Sequence, residues 1–418
     1  MADVQPLPTL RYDLNSVGSL EDVIAPPYDV IDDELRAQLA ARSPFNVVEI
    51  DLPRAPEGGD PYLNAADTFQ AWRQEGVLTQ EREPALWVLQ QEYTAPDGSE
   101  RTRQGFFARV RVEDYGPGRI RPHERTHPGP KEDRLRLTRA TRANLSPIFS
   151  LFPDPEGRAA ELIAEGTKGE PFAQATDLDG TRNTLWRLDE FAELQEALAD
   201  AELLIADGHH RYETARVYAE EVGGEGPHRY VLMLLCSLAD RGLTVFPTHR
   251  LLTGLKESPE KQEAIRDVLT ANFDLEEITA DQLEPNGSGI AFGYMDSHFR
   301  KPYRVTLKDP AIADAALVGK PEAYRRLDTA VLEALVLRGA LGMSEDDIAH
   351  LRGLDYSKDF DDARAAVESG RADAGFFLRA TPVEQVQAVA DEGESMPPKS
   401  TYFFPKIPTG LVFNLLEQ

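Results

Sequence analysis

Chemistry-bearing residues in this chain cluster at a few turns, most densely in "LLIADGHHRYETARVYAEE", Leu203 to Glu221. An apolar run there meets Asp207-Gly208-His209-His210-Arg211 and then a helical pattern. A strand that ends in glycine and opens a helix presents unpaired N–H groups and the positive end of the macrodipole, which together favour anions. Gly208 allows close approach of backbone to a ligand, and Arg211 offers a planar fork to phosphate oxygens. Asp207 can hold Mg2+ or orient His209 or His210. The plain alternative is a capped helix whose histidines hydrogen-bond internally. A zinc site made of His209, His210 and a distant His249 or His123 is a third reading. Geometry opposes it, because adjacent helical side chains point about 100° apart and no H-x3-H spacing is present.

A second concentration lies in "RPHERTHPGPKEDRLRLTRATR", Arg121 to Arg142, with seven Lys/Arg against three Asp/Glu. Such a run is either a solvated helix laced by i,i+4 pairs or a cationic phosphate site. Lys131, Arg134 and Arg142 supply the charge for the second reading, and His123-Glu124 adds a titratable pair able to act as general base. Tyr28 and Asp29 follow a proline pair in "VIAPPYDVI", either as a rigid corner ahead of a helix at 32–41 or as ligand groups. His249 and Arg250 close a strand-like run in "FPTHRLL". "MPPKSTYFFPKIPTGLVFN" brings Lys399, Ser400, Thr401 and Lys406 among aromatics. They could hold an anion, but a terminal strand docking on a sheet is the more ordinary outcome.

These groups need elements to hold them. "ALWVLQQEYT" and "RTRQGFFARVRVEDY" read as a hairpin about Asp97-Gly98, "RYVLMLLCSL" and "LTVFPTHRLL" as strands joined at Asp240-Arg241-Gly242, and "GIAFGYMDSHFRKPYRVTLKD" as another hairpin. Helical patterns occupy 212–221, 261–270 and 325–341, with another beginning after Thr381, where "TPVE" supplies an N-cap, a first-turn proline and a glutamate. Strands and helices mix without regular βαβ alternation, so the class is α+β with mixed sheets. A division near Ser258 predicts a main domain at 1–257 that carries the phosphate site and a smaller α+β unit at 258–418.

Composition excludes several function classes. With 418 residues, 41% hydrophobic and 28% charged, the chain can build a substantial core. A net charge of −27 repels extended nucleic acid except at a local basic exception. The single cysteine, Cys236, lies in "YVLMLLCSL" and cannot form an intramolecular disulfide, so it reads as a core residue in a reducing compartment. No apolar run approaches the roughly 18 residues of a membrane span, and the start lacks a leader pattern. The expected location is cytoplasmic, without membrane partners; the oligomeric state stays open.

Taken together, "IAPPYDVI", "NVVEIDLP", "HERTHPGPKEDRLRLTRATRANLSPIFSLFPD", "ADGHHRYETA", "PTHRLL" and "MPPKSTYFFPKIPTGLVF" resemble the prokaryotic family known as domain of unknown function one-thousand-and-fifteen, over essentially the whole chain. The order His123-Glu124, helix, Pro147-Ile148 and Asp207-Gly208-His209-His210-Arg211 is more remotely similar to the free serine kinases of the ParB/sulfiredoxin superfamily. That resemblance implies a ParB/sulfiredoxin-like core elaborated by N- and C-terminal regions. It also implies a kinase that uses ATP or ADP with Mg2+ on a small hydroxyl compound, with free serine as the acceptor. Glu124 would be the base beside His123, Asp207 the Mg2+ ligand, and Gly208, His209, His210, Arg211, Lys131, Arg134 and Arg142 the nucleotide-phosphate groups. A non-catalytic nucleotide-sensing module and a metal-dependent phosphohydrolase are the competing readings.

Overall fold

The computed structural model describes residues 2–55, 58–96, 98–124 and 128–417. Asp97 of the expected hairpin turn and Arg125 to His127 of the basic segment lie outside the described residues. The backbone divides into two compact units, one of Met1–Pro122, Thr126–Thr244 and Pro405–Gln418, the other of His123–Arg125 and Val245–Phe404. The division expected after residue 257 therefore falls earlier, because the strand at His249–Leu252 pairs within the second unit. Pro405–Gln418 belongs to the first, where Phe413 and Asn414 pair with Leu10 and Thr9.

The first unit is built on a mixed sheet. Its main elements in chain order are β1 (Leu86–Thr94), β2 (Glu100–Arg111), α1 (Pro128–Thr141), β3 (Ile148–Phe152), β4 (Arg182–Leu188), β5 (Leu203–Asp207), α2 (His209–Val222) and β6 (Tyr230–Ser237). Across the sheet the order is Ile120–Pro122, β5, β3, β6, β2, β1, β4 and Ala173–Thr176, with Val4–Gln5 pairing β2. β6 is parallel to β3, whereas β5–β3, β6–β2, β2–β1 and β1–β4 are antiparallel.

Period-2 alternation sorts the residues of these strands to two faces. Val88, Phe106, Ala108, Ile148, Phe152, Leu203, Ile205, Met233 and Leu235 enter one apolar core, to which Tyr212 and Ala215 of α2 contribute. On the opposite face Asn183, Gln91 and Arg103 stand in consecutive cross-strand register. Asp207 would follow Ile205 into the apolar core if β5 were regular. The register shifts between them, so that Ile205 faces Ser150 and Asp207 faces Phe149. This bulge turns the carboxylate onto the polar face, a displacement that bulges commonly produce beside functional groups.

The second unit carries an antiparallel sheet. It contains β7 (His249–Leu252), α3 (Pro259–Asn272), β8 (Phe273–Glu277), β9 (Ala291–Asp296), β10 (Tyr303–Leu307), β11 (Leu354–Ser357), α4 (Phe360–Ser369) and β12 (Ala374–Phe377). The sheet order is β8-β10-β9-β12-β7-β11. Phe292 and Phe376 pack one face with Ile265 and Leu269 of α3, while Met295 and Phe377 pack the other with Ala363 and Val367 of α4.

The protein is α+β, and the patterned helices form at 209–222 and 259–272. The helix expected over 325–341 is interrupted: Asp328–Leu332 leads into a π-helical stretch, Glu333–Ala340. Thr381 does not cap the last helix. Its hydroxyl donates to the Ser400 carbonyl at 3.0 Å, and Pro382 takes the cap position before Val383–Asp391.

Cys236 is fully buried in β6, and burial pushes its thiol well above the ordinary range. Thiolate is the reactive form, so native protein should react with a disulfide reagent only as fast as it opens. Labelling in native buffer is expected to be slow and to become rapid in denaturant; equal rates in the two would contradict this packing.

Candidate functional site

The β5–α2 turn is held in shape by its glycine and its arginine. Gly208 has φ +98°, a left-handed conformation, and forms the N-cap of α2. A Cβ there would also lie 3.0 Å from the Arg211 Cζ. The dihedral therefore favours glycine, and a side chain there would also press on the guanidinium. Arg211 donates from Nη2 to Asp207 Oδ2 at 3.0 Å and from Nη1 to the Pro147 carbonyl just before β3. Its fork is thus committed to the protein and fastens the turn to the neighbouring strand, a different use from the phosphate contact expected of it.

Asp207 is engaged from two sides, since Lys406 Nζ lies 3.5 Å from Oδ1. Burial alone would raise its carboxyl, but Lys406, Arg211 and His209 outweigh burial and hold it well below the ordinary carboxylate range. A divalent cation at Asp207 would have to compete with both bases. No cluster of three or more His, Cys, Asp or Glu suited to a metal occurs among the described residues. These residues do not fit a resident Mg2+, nor the three-histidine zinc reading.

A second buried ion pair adjoins the turn. Arg134 of α1 donates from Nη1 to the Asp51 carbonyl at 2.8 Å and to Asp51 Oδ1 at 3.1 Å, and from Nε to Asp133 at 2.8 Å. Its guanidinium lies 4.2 Å from the Tyr28 ring centre. Burial pushes the Tyr28 phenol up to about 12, and it pushes the Asp51 carboxyl upward against Arg134 and the Ser146 hydroxyl. The side chains of Arg134 and Asp51 are each 6% exposed. Breaking such a pair costs about 3–5 kcal/mol because the remaining charge stays buried. The pocket among Asp51, Arg134, Ser146, Arg211 and Thr214 holds about 40 Å³. That is room for water rather than for a nucleotide.

The other basic candidates are placed differently. Arg142 ends α1 at φ +49°, with its side chain 63% exposed and paired to Glu417 at 3.1 Å. A pair of that kind contributes roughly 0–1 kcal/mol, so Arg142 belongs to the solvated-helix reading. Lys131 is half-buried on α1, where its carbonyl receives the Thr214 hydroxyl at 3.5 Å. Asp29 acts on Arg211 through its charge. His210 is half-buried and His209 buried on the first turn of α2.

In the second unit, four candidates meet on the segment after Met396. Glu124 forms a single parallel bridge with Met396, and its Oε1 accepts the Lys399 N–H at 3.2 Å. Lys399 has φ +56°, an uncommon conformation for a residue with a side chain. Arg250 donates to the Lys399 carbonyl at 3.1 Å and stands 5.1 Å from the Tyr356 ring centre. The buried ring of His123 contacts the Thr401 hydroxyl at 2.8 Å. His249 departs from expectation. It is a core residue between Phe360 and Phe377, accepts the Leu378 N–H at Nδ1, and is held neutral by burial with a pKa of about 4.

Sequence reading missed three residues near the turn, Arg103, Gln91 and Asp51, and singled out Lys406 only within a stretch assigned to strand docking. Alternation places Arg103 and Gln91 in a sheet, but only the cross-strand register shows that their face is the polar one. For Asp51 the signal was its place in "NVVEIDLP", a quoted motif that was given no chemistry.

The family model described as "Protein of unknown function (DUF1015)" matches residues 4–330. The chain belongs to that family. No curated protein matches it. Among solved structures, a conserved hypothetical protein from Pyrococcus furiosus is similar at 16% identity and TM-score 0.36, over 70% of this chain and 92% of that one. A free serine kinase in complex with AMP is similar at 16% identity and TM-score 0.37, over 70% and 88%. A C-terminally truncated SbnI from Staphylococcus aureus is similar at 12% identity and TM-score 0.37, over 72% and 85%. Similarities of this size transfer no residue role to the DUF1015 chain.

Because the Asp207 carboxyl is held low when folded, its contribution to stability is complete above about pH 5 and lost as pH falls through the folded value. Asp207→Asn should lower the melting temperature at pH 7 and flatten the acid limb in scanning calorimetry; an acid limb identical to the parent would refute the pairing. His249 works over a higher window. Its pKa drops from 6.5 to about 4 on burial, so its contribution declines as pH falls from about 6.5 to about 4. Its ring resonance should titrate near pH 4 by NMR, and a midpoint above 6 would place the ring in solvent.

Proposed function

We propose that the DUF1015 chain binds the phosphates of ATP or ADP at the start of α2 and transfers a phosphoryl group to a small hydroxyl compound. Free serine is the acceptor that the sequence resemblance implies. The observation that supports this most is the Gly208-capped start of the fourteen-residue α2, with Lys406, Arg211 and His209 gathered around one carboxylate. Phosphoryl transfer asks mainly for positioning and charge neutralisation, which such a site supplies.

In this reading the N–H groups of His209 and His210 and the Lys406 ammonium meet phosphate oxygens. Lys406 Nζ stands 3.5 Å from Asp207 Oδ1, and a phosphate oxygen would join the groups around that ammonium as a charge-assisted partner. Arg211 and Arg134 keep the frame. Mg2+ arrives as part of the nucleotide complex rather than as an ion resident on Asp207. Glu124 is the residue to which the resemblance assigns the acceptor proton.

Two variants test the proposal. Lys406→Ala removes a charge-assisted contact, so titration calorimetry with MgATP should show affinity weakened by about 1.5–3 kcal/mol. Glu124→Gln keeps size and hydrogen-bonding reach but removes the proton acceptor. Transfer to serine or a related amino alcohol should fall roughly 10²–10⁴-fold while MgATP affinity persists. Binding without transfer in the parent chain would mark a sensing module, and phosphate release without an acceptor would mark a phosphohydrolase. Undiminished transfer in Glu124→Gln would remove Glu124 from the chemistry.

A further inference from the structure

Arg103 is a deeply buried cation of the first unit. It is 1% exposed in β2, and burial lowers its pKa. Among the described residues no carboxylate forms an ion pair with it, and Asp240 and Asp207 act on it only through their charge; its partners are the Gln91 side-chain carbonyl and the Pro405 carbonyl, the latter at 2.5 Å. Nε and Nη1 have no hydrogen-bond partner among the described residues. The guanidinium lies 4.6 Å from the centre of the Phe149 ring, and Phe149 is the register partner of Asp207.

Gln91 extends the same support. Its amide donates to the Lys406 carbonyl at 3.1 Å and to Asn183 at 2.8 Å, and Asn183 donates to Asp177 at 3.1 Å. A line of polar side chains therefore crosses β4, β1 and β2 and ends on two consecutive carbonyls, those of Pro405 and Lys406. Burying an arginine without an adjoining carboxylate costs stability. An apolar side chain on this face would pack more cheaply but could hold neither carbonyl.

From this geometry we propose that Arg103 is a positioning residue for phosphate binding. It fixes the backbone at Pro405-Lys406, with Gln91 as its second support, so that the Lys406 ammonium is delivered to the start of α2 beside Asp207. The inference rests on the phosphate reading of that site. It assigns Arg103 no contact with the nucleotide; its effect passes through Lys406.

A double-mutant cycle on the full chain tests this, with MgATP as the probe in titration calorimetry. Arg103→Lys keeps the charge but loses the planar fork that reaches Gln91 and Pro405 together. It should weaken MgATP roughly tenfold in the parent chain and have no further effect in Lys406→Ala, since residues acting through one contact are not additive. Gln91→Leu, which removes the other support while conserving volume, should repeat the pattern if Arg103→Lys does not fold. A loss of equal size with and without Lys406, or no loss in either, overturns the inference. If Lys406→Ala binds MgATP as the parent does, or neither binds, the phosphate reading fails and this inference with it. If Lys406→Ala loses affinity while Arg103→Lys and Gln91→Leu keep it, only the positioning role fails.

Discussion

The pairing of Asp207 with Arg211 and Lys406 is the constraint on which the polar face of the first unit depends. A carboxylate turned onto a polar sheet face is costly unless it is paired, and here the bulge in β5 does the turning while the two bases supply the pairing. Arg211 reaches Asp207 from inside its own helix and simultaneously holds Pro147. Lys406 comes from the far end of the sequence, fixed by Arg103 and Gln91. One interaction therefore joins β3, β5, α2 and the segment from Pro405 onward.

The charge balance of the chain bears on which anions the proposed site could admit. At −27 overall, the field around the protein repels extended polyanions. A small anion can approach a turn where cations are fixed by folded geometry. The basic helix α1 illustrates the difference between fixed and merely present charge. Arg134 is locked on Asp51 and Tyr28, whereas Arg139 and Arg142 reach Glu221 and Glu417 in half-exposed pairs. Such pairs are screened by salt and contribute little.

Much of this was legible before any coordinates. Asp207-Gly208 after an apolar run does end a strand and open a helix, because the left-handed turn beside the arginine favours glycine. The convergence of His123, Glu124, Arg250 and Lys399 could not be read from spacing, since it depends on a chain reversal that brings Met396–Thr401 back to residues 123–124. Nor could the direction of Arg211, because a guanidinium that binds phosphate and one that clamps a carbonyl leave the same trace in a sequence. The domain division shifted for a related reason. β7 carries no local mark that it pairs with β11 and β12, and a terminal stretch shows its destination only through its partners.

The central claim is that phosphate oxygens bind at the N–H groups that open α2. Backbone amide NMR during titration with MgATP observes those groups directly. The account requires the His209, His210 and Arg211 resonances to move in step and saturate together at one equivalent per chain, as expected for anion capture at a helix start. Saturable shifts elsewhere, with these three amides unmoved, would contradict it.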